Sequence, residues 1–215
     1  MDNALELTTI NFDRQAERPE RADAAANRAL ILETAERLFA ERGVENVCMT
    51  EIAEAAGVGK GTLYRRYANK AELCLALMDS QLSEFQDAML AGFREFTDKK
   101  AGYLEQIVYF LESLVDFTEI HTPLLVEVER GGLFGSDAPP AMPHFWQIMT
   151  IQGLLRQAER HGEISRNLDL DYIGEALLAP LQMDVFGFQR NFRGYSTGRI
   201  KAGLRTWVRL LATSP

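Results

Sequence analysis

The chain has 215 residues, of which 47% are hydrophobic and 25% are charged, and its formal net charge is −8. This length predicts one or two domains with a sizeable core, and the lack of any apolar run of about 18 residues excludes a transmembrane helix. Cys48, Cys74 and the three widely separated histidines do not have metal-ligand or disulfide spacing, so we predict no metal, no cofactor and a reducing cytoplasmic location.

The N-terminal segment, residues 1–22, is predicted to be a disordered tail. It lacks sustained periodicity and the basic start and apolar core of a signal peptide. Arg14, Arg18 and Arg21 alternate with acidic residues, so a disordered tail is favoured over a basic arm that contacts a partner.

A first helix is predicted over residues 23–42, where apolar side chains recur on one helical face. These side chains are Ile31, Ala35, Leu38 and Phe39. Gly43 follows directly and suits the backbone conformation that closes a helix.

Two short helices follow, at residues 49–56 and 60–67, joined by the tight turn Gly57-Val58-Gly59. Small residues at Ala53, Ala56 and Gly57 allow the helices to cross closely at a steep angle, which is the geometry of a helix-turn-helix. Such an arrangement presents its second helix to the major groove of DNA.

From residue 69 onward the chain is predicted to be entirely helical. Asn69 and Glu72 have the spacing of a capping box that starts the fourth helix. Pro123 separates two helices, the Gly- and Pro-rich residues 131–143 form a loop, and Gly162 ends a helix. The helices are predicted at residues 70–97, 103–120, 124–130, 145–161, 170–191 and 199–212.

The charge pattern of the second short helix differs from that of the whole chain. Between Gly59 and Lys70 there are four basic residues and no acidic one. DNA binding depends on where positive charge is placed rather than on the overall sum. The alternative is that these residues form only a solvated basic face.

Individual side chains in this region suit different DNA contacts. Arg65 and Arg66 are able to read guanine through two hydrogen bonds, and Tyr64 and Tyr67 to reach phosphate oxygens. Lys70 begins a helix whose N-terminus favours a phosphate. The predicted DNA-binding residues are Thr50, Lys60, Gly61, Thr62, Tyr64, Arg65, Arg66, Tyr67 and Lys70.

At these residues the chain resembles the TetR family of one-component bacterial regulators. The resemblance covers residues 28–77 and rests on residue pairs and short motifs. These are Ile31-Leu32, Leu38-Phe39, Gly43, Ile52-Ala53, Ala56-Gly57-Val58, Gly61-Thr62-Leu63-Tyr64, Tyr67, Lys70 and Leu73.

The resemblance implies an N-terminal three-helix DNA-binding domain at residues 23–68, followed by a ligand-binding and dimerisation domain at residues 69–215. It implies a homodimer that reads a palindromic operator and is released by a small molecule. Val47 and Cys48 depart from the family, which has hydroxyl residues there, and Gly59 replaces a Ser. A lost hydroxyl cap typically costs about 1 kcal/mol, so the lead-in to the second helix is predicted to be weak.

Apolar side chains of the C-terminal region are candidates for a ligand pocket, with packed core as the alternative. We predict a moderately hydrophobic, uncharged or weakly charged effector. The predicted ligand-binding residues are Phe110, Leu114, Phe117, His121, Phe145, Trp146, Met149, Gln152, Met183 and Phe186.

The last two predicted helices, residues 170–191 and 199–212, are the candidate dimer interface, since two helices from each subunit form a four-helix bundle. Their small and apolar residues support this, and sealing of the monomer core is the alternative. The residues are Ala176, Leu177, Ala179, Leu181, Gly187, Trp207, Leu210 and Leu211.

The predicted fold is thus all-α and the predicted function is transcriptional repression through DNA binding. No strand precedes a Gly-rich phosphate loop and no nucleophile lies in a known signature, so an enzyme is not predicted. Two alternatives stay open, a DNA-binding protein without an effector and an activator.

Overall fold

The computed structural model describes residues 22–132 and 142–213. The predicted tail, together with Arg14, Arg18 and Arg21, and most of the predicted loop at 131–143 lie outside the described residues. The described chain is helical and contains no strand beyond one isolated bridge between Ile164 and Ala212. The predicted all-α class is therefore confirmed.

Nine α-helices span the described residues. Within this part of the chain, no helix is both long and apolar enough to cross a membrane. The helices are α1 (Ala22–Arg42), α2 (Met49–Ala55), α3 (Lys60–Arg66), α4 (Lys70–Asp98), α5 (Tyr103–Arg130), α6 (Met142–Arg160), α7 (Leu170–Leu178), α8 (Met183–Gly187) and α9 (Thr197–Leu210).

The helices pack into two units. The smaller unit contains residues 22–83 and 121–132, and the larger unit contains residues 84–120 and 142–213. Helices α4 and α5 each contribute residues to both units. The boundary predicted at residue 68 concerns a functional domain, which this division by packing does not test.

The core of the smaller unit is built on the apolar face of α1. Ile31, Ala35, Leu38 and Phe39 are all buried, as the helical spacing predicts. Asn69 begins α4 as predicted, since its side-chain oxygen accepts a hydrogen bond from the Glu72 backbone N–H at 2.9 Å. Glu72 returns its carboxylate to the Ala68 N–H rather than to Asn69.

The predicted break at Pro123 is wrong, because α5 continues through it from Tyr103 to Arg130. A proline inside a helix removes the hydrogen bond to the carbonyl four residues earlier, here that of Glu119, and costs about 3 kcal/mol. Leu124 and Val128 are buried just beyond it. Their burial contributes about 1.5–3 kcal/mol each, which offsets this cost.

The predicted helix at 170–191 is instead broken after Leu178. A short 3-10 turn at Ala179–Leu181 separates α7 from α8, and a π-helical turn at Phe188–Phe192 follows α8. Pro180 has no N–H to continue the α-helical ladder, and Gln182 is extended with φ −61° and ψ 141°. Here no buried side chain lies on the short turn to offset the lost bond.

The helix predicted to begin at Phe145 starts earlier, at Met142. Pro143 therefore lies in its first turn, where a missing N–H has no cost because those amides lack helical partners. At the other end Gly162 has φ 76°, as its predicted role in ending the helix requires.

Three ion pairs join α5 to the C-terminal part of the larger unit. The Asp116 carboxylate accepts a hydrogen bond from Lys201 at 2.6 Å, and Glu119 accepts one from Arg190 Nε at 2.7 Å. Glu112 pairs with Arg205 in the same way. The acidic residues lie on one face of α5, so they hold α9 and the turn after α8 against it.

Candidate functional site

The start of α2 is better capped than the sequence suggests. Glu51 Oε2 accepts a hydrogen bond from the Cys48 backbone N–H at 2.8 Å, and Glu51 Oε1 accepts one from Arg42 at 2.8 Å. The Cys48 thiol lies 2.9 Å from the Thr50 hydroxyl. The weak cap predicted for α2 was inferred from the Cys48 side chain alone. Glu51, three residues later, has capping-box spacing and was the signal that could have revealed this cap.

These hydrogen bonds lower the pKa of Glu51 to about 2, first through the Cys48 N–H, then through the Cys48 side chain and Arg42. An acid with a lowered pKa stabilises the fold above its unfolded value, and that contribution is lost as the pH falls through the folded value. The Glu51 contribution is therefore complete above about pH 4.5 and disappears towards about pH 2.

Replacing Glu51 with glutamine should remove this acid-sensitive contribution. We expect the gap in melting temperature between the natural protein and E51Q to be constant near neutral pH and to shrink below about pH 4.5. Thermal unfolding across this range measures it. E41Q is the control, because Glu41 makes only an exposed pair with Arg37 at 3.4 Å. A gap that persists to about pH 2 would contradict the assignment.

The turn between α2 and α3 fixes the position of the second helix. Gly57 has φ 65°, a conformation that favours glycine, and the Val58 N–H donates to the Ala53 carbonyl at 3.0 Å. Leu63 points inward and is fully buried. Helix α3 is thereby anchored on one side and leaves its other faces open.

The structure brings most of the predicted DNA-binding side chains together on α3. Lys60, Tyr64 and Arg65 are exposed, whereas Thr62 and Arg66 are partly buried. Arg65 Nε donates to the Gly61 carbonyl at 3.1 Å, so the guanidinium lies along the helix. The acid-free side of α3 is therefore a compact basic surface.

Gly61 and Thr50 are two further predicted DNA-contacting residues. A Cβ added to Gly61 would meet nothing within 4 Å, so packing does not require glycine there. Thr50 lies in the first turn of α2, partly buried beside Cys48. Their contacts with DNA remain predictions.

Tyr67 and Lys70, two of the residues predicted to contact phosphate, are both directed toward the protein itself. The Tyr67 hydroxyl is buried and has no hydrogen-bond partner among the described residues. The Lys70 ammonium donates to the Val44 carbonyl at 2.8 Å and the Val47 carbonyl at 3.3 Å, and lies 3.7 Å from Glu127. Lys70 therefore joins the start of α4 to the segment that leads into α2, and the phosphate contacts of both residues remain predictions.

Replacing Lys70 with methionine should lower the free energy of unfolding by about 1–3 kcal/mol, because two carbonyls and Glu127 lose their cation. K60M is the matched control, since Lys60 makes only an exposed pair with Glu54 at 3.2 Å. Urea unfolding should show a change below about 0.5 kcal/mol for the control.

The same two variants separate internal and DNA-contacting roles. K60M should reduce the salt dependence of DNA affinity by about one phosphate contact, whereas K70M should leave it unchanged. Normal stability with a reduced salt dependence in K70M would instead show that Lys70 contacts phosphate.

The predicted ligand-binding residues differ in how deeply the structure buries them. Phe110, Leu114, Trp146 and Phe186 are buried in the core of the larger unit, where the Phe110 and Trp146 rings are 5.4 Å apart. Phe117, Gln152 and Met183 are partly buried, and Phe145 and Met149 are exposed. His121 is buried and follows Phe117 by one helical turn on α5.

A surface groove of about 330 Å³ lies along α7, where no ligand-binding residue was predicted. Ala176 and Ala179, which were predicted as close-approach residues of a dimer, line it. The lining residues are Tyr172, Glu175, Ala176, Ala179 and Gln182.

The C-terminal helices also expose large apolar side chains. On α9, Trp207 and Leu210 are 49% and 77% exposed, and beside α8 the stacked rings of Phe188 and Phe192 are 5.1 Å apart and exposed. Among the predicted interface residues, Leu177 is fully inside the core of the larger unit. Leu181 and Leu211 also pack against that core.

We compared the chain with known protein families and sequences. Residues 31–77 match the model described as bacterial regulatory proteins, tetR family. The chain is 36% identical over 179 residues to an HTH-type transcriptional regulator of Staphylococcus aureus strain USA300, covering 82% of this chain and 89% of that protein.

Two solved structures show the same fold. A TetR-family transcriptional regulator from Pectobacterium atrosepticum has a TM-score of 0.71 and 21% identity, covering 91% of this chain and 99% of that one. FadR of Thermus thermophilus, a TetR-family repressor in complex with lauroyl-CoA, has a TM-score of 0.62 and 18% identity, covering 87% and 97%.

Proposed function

The chain belongs to the TetR family of DNA-binding transcriptional regulators and is not an enzyme, and we propose that it is a cytoplasmic repressor released from DNA by a small effector. In this proposal a homodimer binds a palindromic operator. The observation that carries it is α3, whose basic, acid-free faces are exposed while Leu63 anchors the helix from within.

Exposed α3 side chains divide into two roles in this proposal. Arg65 reads base edges in the major groove, whereas Lys60 and Tyr64 contact phosphates. Thr62 and Arg66, at the edge of the buried surface, assist from the same helix. Neutralising phosphates locally allows an acidic chain of net charge −8 to bind DNA.

The homodimer is supported by the C-terminal helices. Gly203, Trp207 and Leu210 recur on one exposed face of α9, and the small residues Ala176 and Ala179 form part of the groove on α7. An exposed apolar face of this kind suits a two-fold interface, in which each copy presents the same surface.

The effector is supported by the core of the larger unit. Aromatic rings from α4, α5 and α6 meet there, including Phe85, Phe110 and Trp146. The Thermus thermophilus FadR structure, with the same fold, is a complex with lauroyl-CoA. Because the rings of this core are apolar, we propose a moderately hydrophobic, uncharged or weakly charged effector.

Selection of bound sequences from random DNA tests the proposal. We expect an inverted repeat with two equal half-sites, bound by a dimer as measured by light scattering. A metabolite library is then screened for release. Failure to enrich any sequence, or enrichment of one unrepeated half-site bound by a monomer, would contradict the proposal.

A second reading is a family member without an effector, or an activator. Thermal stabilisation distinguishes the first, because a ligand at about 100 times its dissociation constant stabilises by about 2.7 kcal/mol. A transcription assay with the selected operator distinguishes the second, since repression falls when the effector is added.

A further inference from the structure

One polar side chain interrupts the buried face of α4. Leu82, Gln86, Met89 and Phe93 are all buried and recur at helical spacing along one stripe of this helix. Three of the four are apolar. Gln86 is 5% exposed, and its side-chain amide nitrogen has no hydrogen-bond partner among the described residues.

A buried amide without a partner is costly, and such groups in proteins are satisfied by ligands or water when not by the chain itself. Leucine or methionine would fill the same position of the stripe without this cost. Gln86 was not predicted from the sequence, because a single glutamine on an amphipathic helix carries no signal of burial.

Aromatic rings lie on both sides of Gln86 along α4. Phe85 lies 4.7 Å from Phe117 between ring centroids, and Phe93 lies 6.0 Å from Phe110. Trp146 of α6 contacts both groups, at 6.1 Å from Phe85 and 5.4 Å from Phe110. The amide thus lies on the stretch of α4 that packs against an aromatic cluster.

The lack of buried charged residues in the described part of the larger unit indicates which ligands could bind there. Among the described residues of the larger unit, the buried polar side chains are Gln86, Gln106 and Thr150, and no Asp, Glu, Lys or Arg is buried. An ionised ligand would therefore meet no opposite charge there, and burial of an unpaired charge is strongly unfavourable. A neutral molecule avoids that cost.

We propose that Gln86 is the polar anchor of the effector site, donating a hydrogen bond to the carbonyl-type oxygen of a neutral, apolar ligand held among the aromatic rings. This inference rests on the proposed function insofar as it assumes an effector. Phe85 and Phe117, which are only partly buried, are the side chains that move to admit it.

The experiment compares Q86M with the natural protein. Methionine keeps the length of the side chain and removes its hydrogen-bonding groups. T150V is the matched control, because the Thr150 hydroxyl is buried but already bonded to the Trp146 carbonyl at 2.9 Å. The probes are neutral aryl and medium-chain ketones and esters, represented by butyrophenone and methyl decanoate, with 4-phenylbutyrate and decanoate as anionic counterparts.

Two signals report binding without DNA. One is the melting temperature, and the other is the ligand-dependent change in tryptophan emission, to which Trp146 of the aromatic cluster contributes. We expect Q86M without ligand to melt higher by about 3–8 °C, because an unsatisfied amide has been removed. T150V should not melt higher.

Q86M should bind ligand more weakly even though it melts at a higher temperature. We expect neutral probes to bind the natural protein and T150V, and to bind Q86M about 10–100-fold more weakly. A purely structural Gln86 would show the reverse pattern, with Q86M destabilised and its remaining folded fraction binding normally.

Three results would overturn the inference. They are a lower melting temperature for Q86M, equal probe binding by Q86M and the natural protein, and binding of the anions alone or of no probe at all. Because neither signal uses DNA, failure to select an operator would refute the proposed function and leave the Gln86 result standing.

Discussion

Replacing Arg65 with alanine is expected to lower operator affinity by about 1–3 kcal/mol for each half-site and to relax the preferred base at one position in each. A two-fold dimer presents the side chain twice, so the loss is doubled. Affinity for random DNA should fall far less, because only a phosphate-scale attraction is removed there.

The local structure makes this expectation specific to Arg65. Its guanidinium is exposed and makes contacts only within α3, at 3.1 Å to the Gly61 carbonyl and 3.4 Å to the Thr62 hydroxyl. Exposed contacts of this kind contribute little to stability, so R65A should fold normally. The same contacts hold the side chain along the exposed surface of α3, close to where a base edge would lie.

Two further variants define the measurement. R37A removes an exposed α1 arginine whose partner is Glu41 at 3.4 Å, and its operator affinity should not change. R65K keeps the charge but loses the two-pronged geometry. Gel-shift titrations on the operator and on random DNA measure both. Full operator affinity in R65K would show that Arg65 acts through charge alone.

The sequence predicted the features that depend on neighbouring residues and missed those that depend on residues far apart in the chain. The ends of α1, α2 and α3 follow from local apolar spacing and turn residues, and were predicted within a residue. Pro123 and Pro180 carry the same local signal but have different outcomes. The helix continues through Pro123, where Leu124 directly follows and is buried, whereas the turn that contains Pro180 has no buried side chain, and burial is a property of the tertiary structure.

In the candidate site too, contacts between residues far apart in the chain could not be predicted from the sequence. The basic character of α3 is visible in the sequence, and so is the inward-facing Leu63. The internal role of Lys70 is not, because its carbonyl partners on Val44 and Val47 lie 26 and 23 residues away. Similarly, periodicity placed aromatic residues on apolar faces but did not distinguish the buried Trp146 from the exposed Phe145.

Replacing Leu210 with glutamate is expected to disrupt the homodimer and to reduce operator affinity by about 100- to 10,000-fold. A dimer holds its second recognition helix at a high effective concentration near the second half-site, and a monomer loses this advantage. Leu210 is 77% exposed in the single chain, so the substitution adds a charge where it costs the monomer fold little.

The geometry of α9 gives the reason for choosing this face. Ile200, Leu204 and Val208 point into the core of the larger unit, whereas Gly203, Trp207 and Leu210 form the adjacent exposed face. A Cβ added at Gly203 would meet nothing within 4 Å, so no packing inside the chain accounts for glycine there. Close approach of a second copy in the proposed homodimer would account for it.

I120E is the matched control, because Ile120 is 69% exposed on α5 and the substitution adds the same charge. Sedimentation and operator titration should show a monomer with weak binding for L210E and a dimer with normal binding for I120E. A dimeric L210E would place the interface elsewhere. If L210E is monomeric but binds its operator normally, one subunit suffices for recognition, and the palindromic operator loses its physical basis.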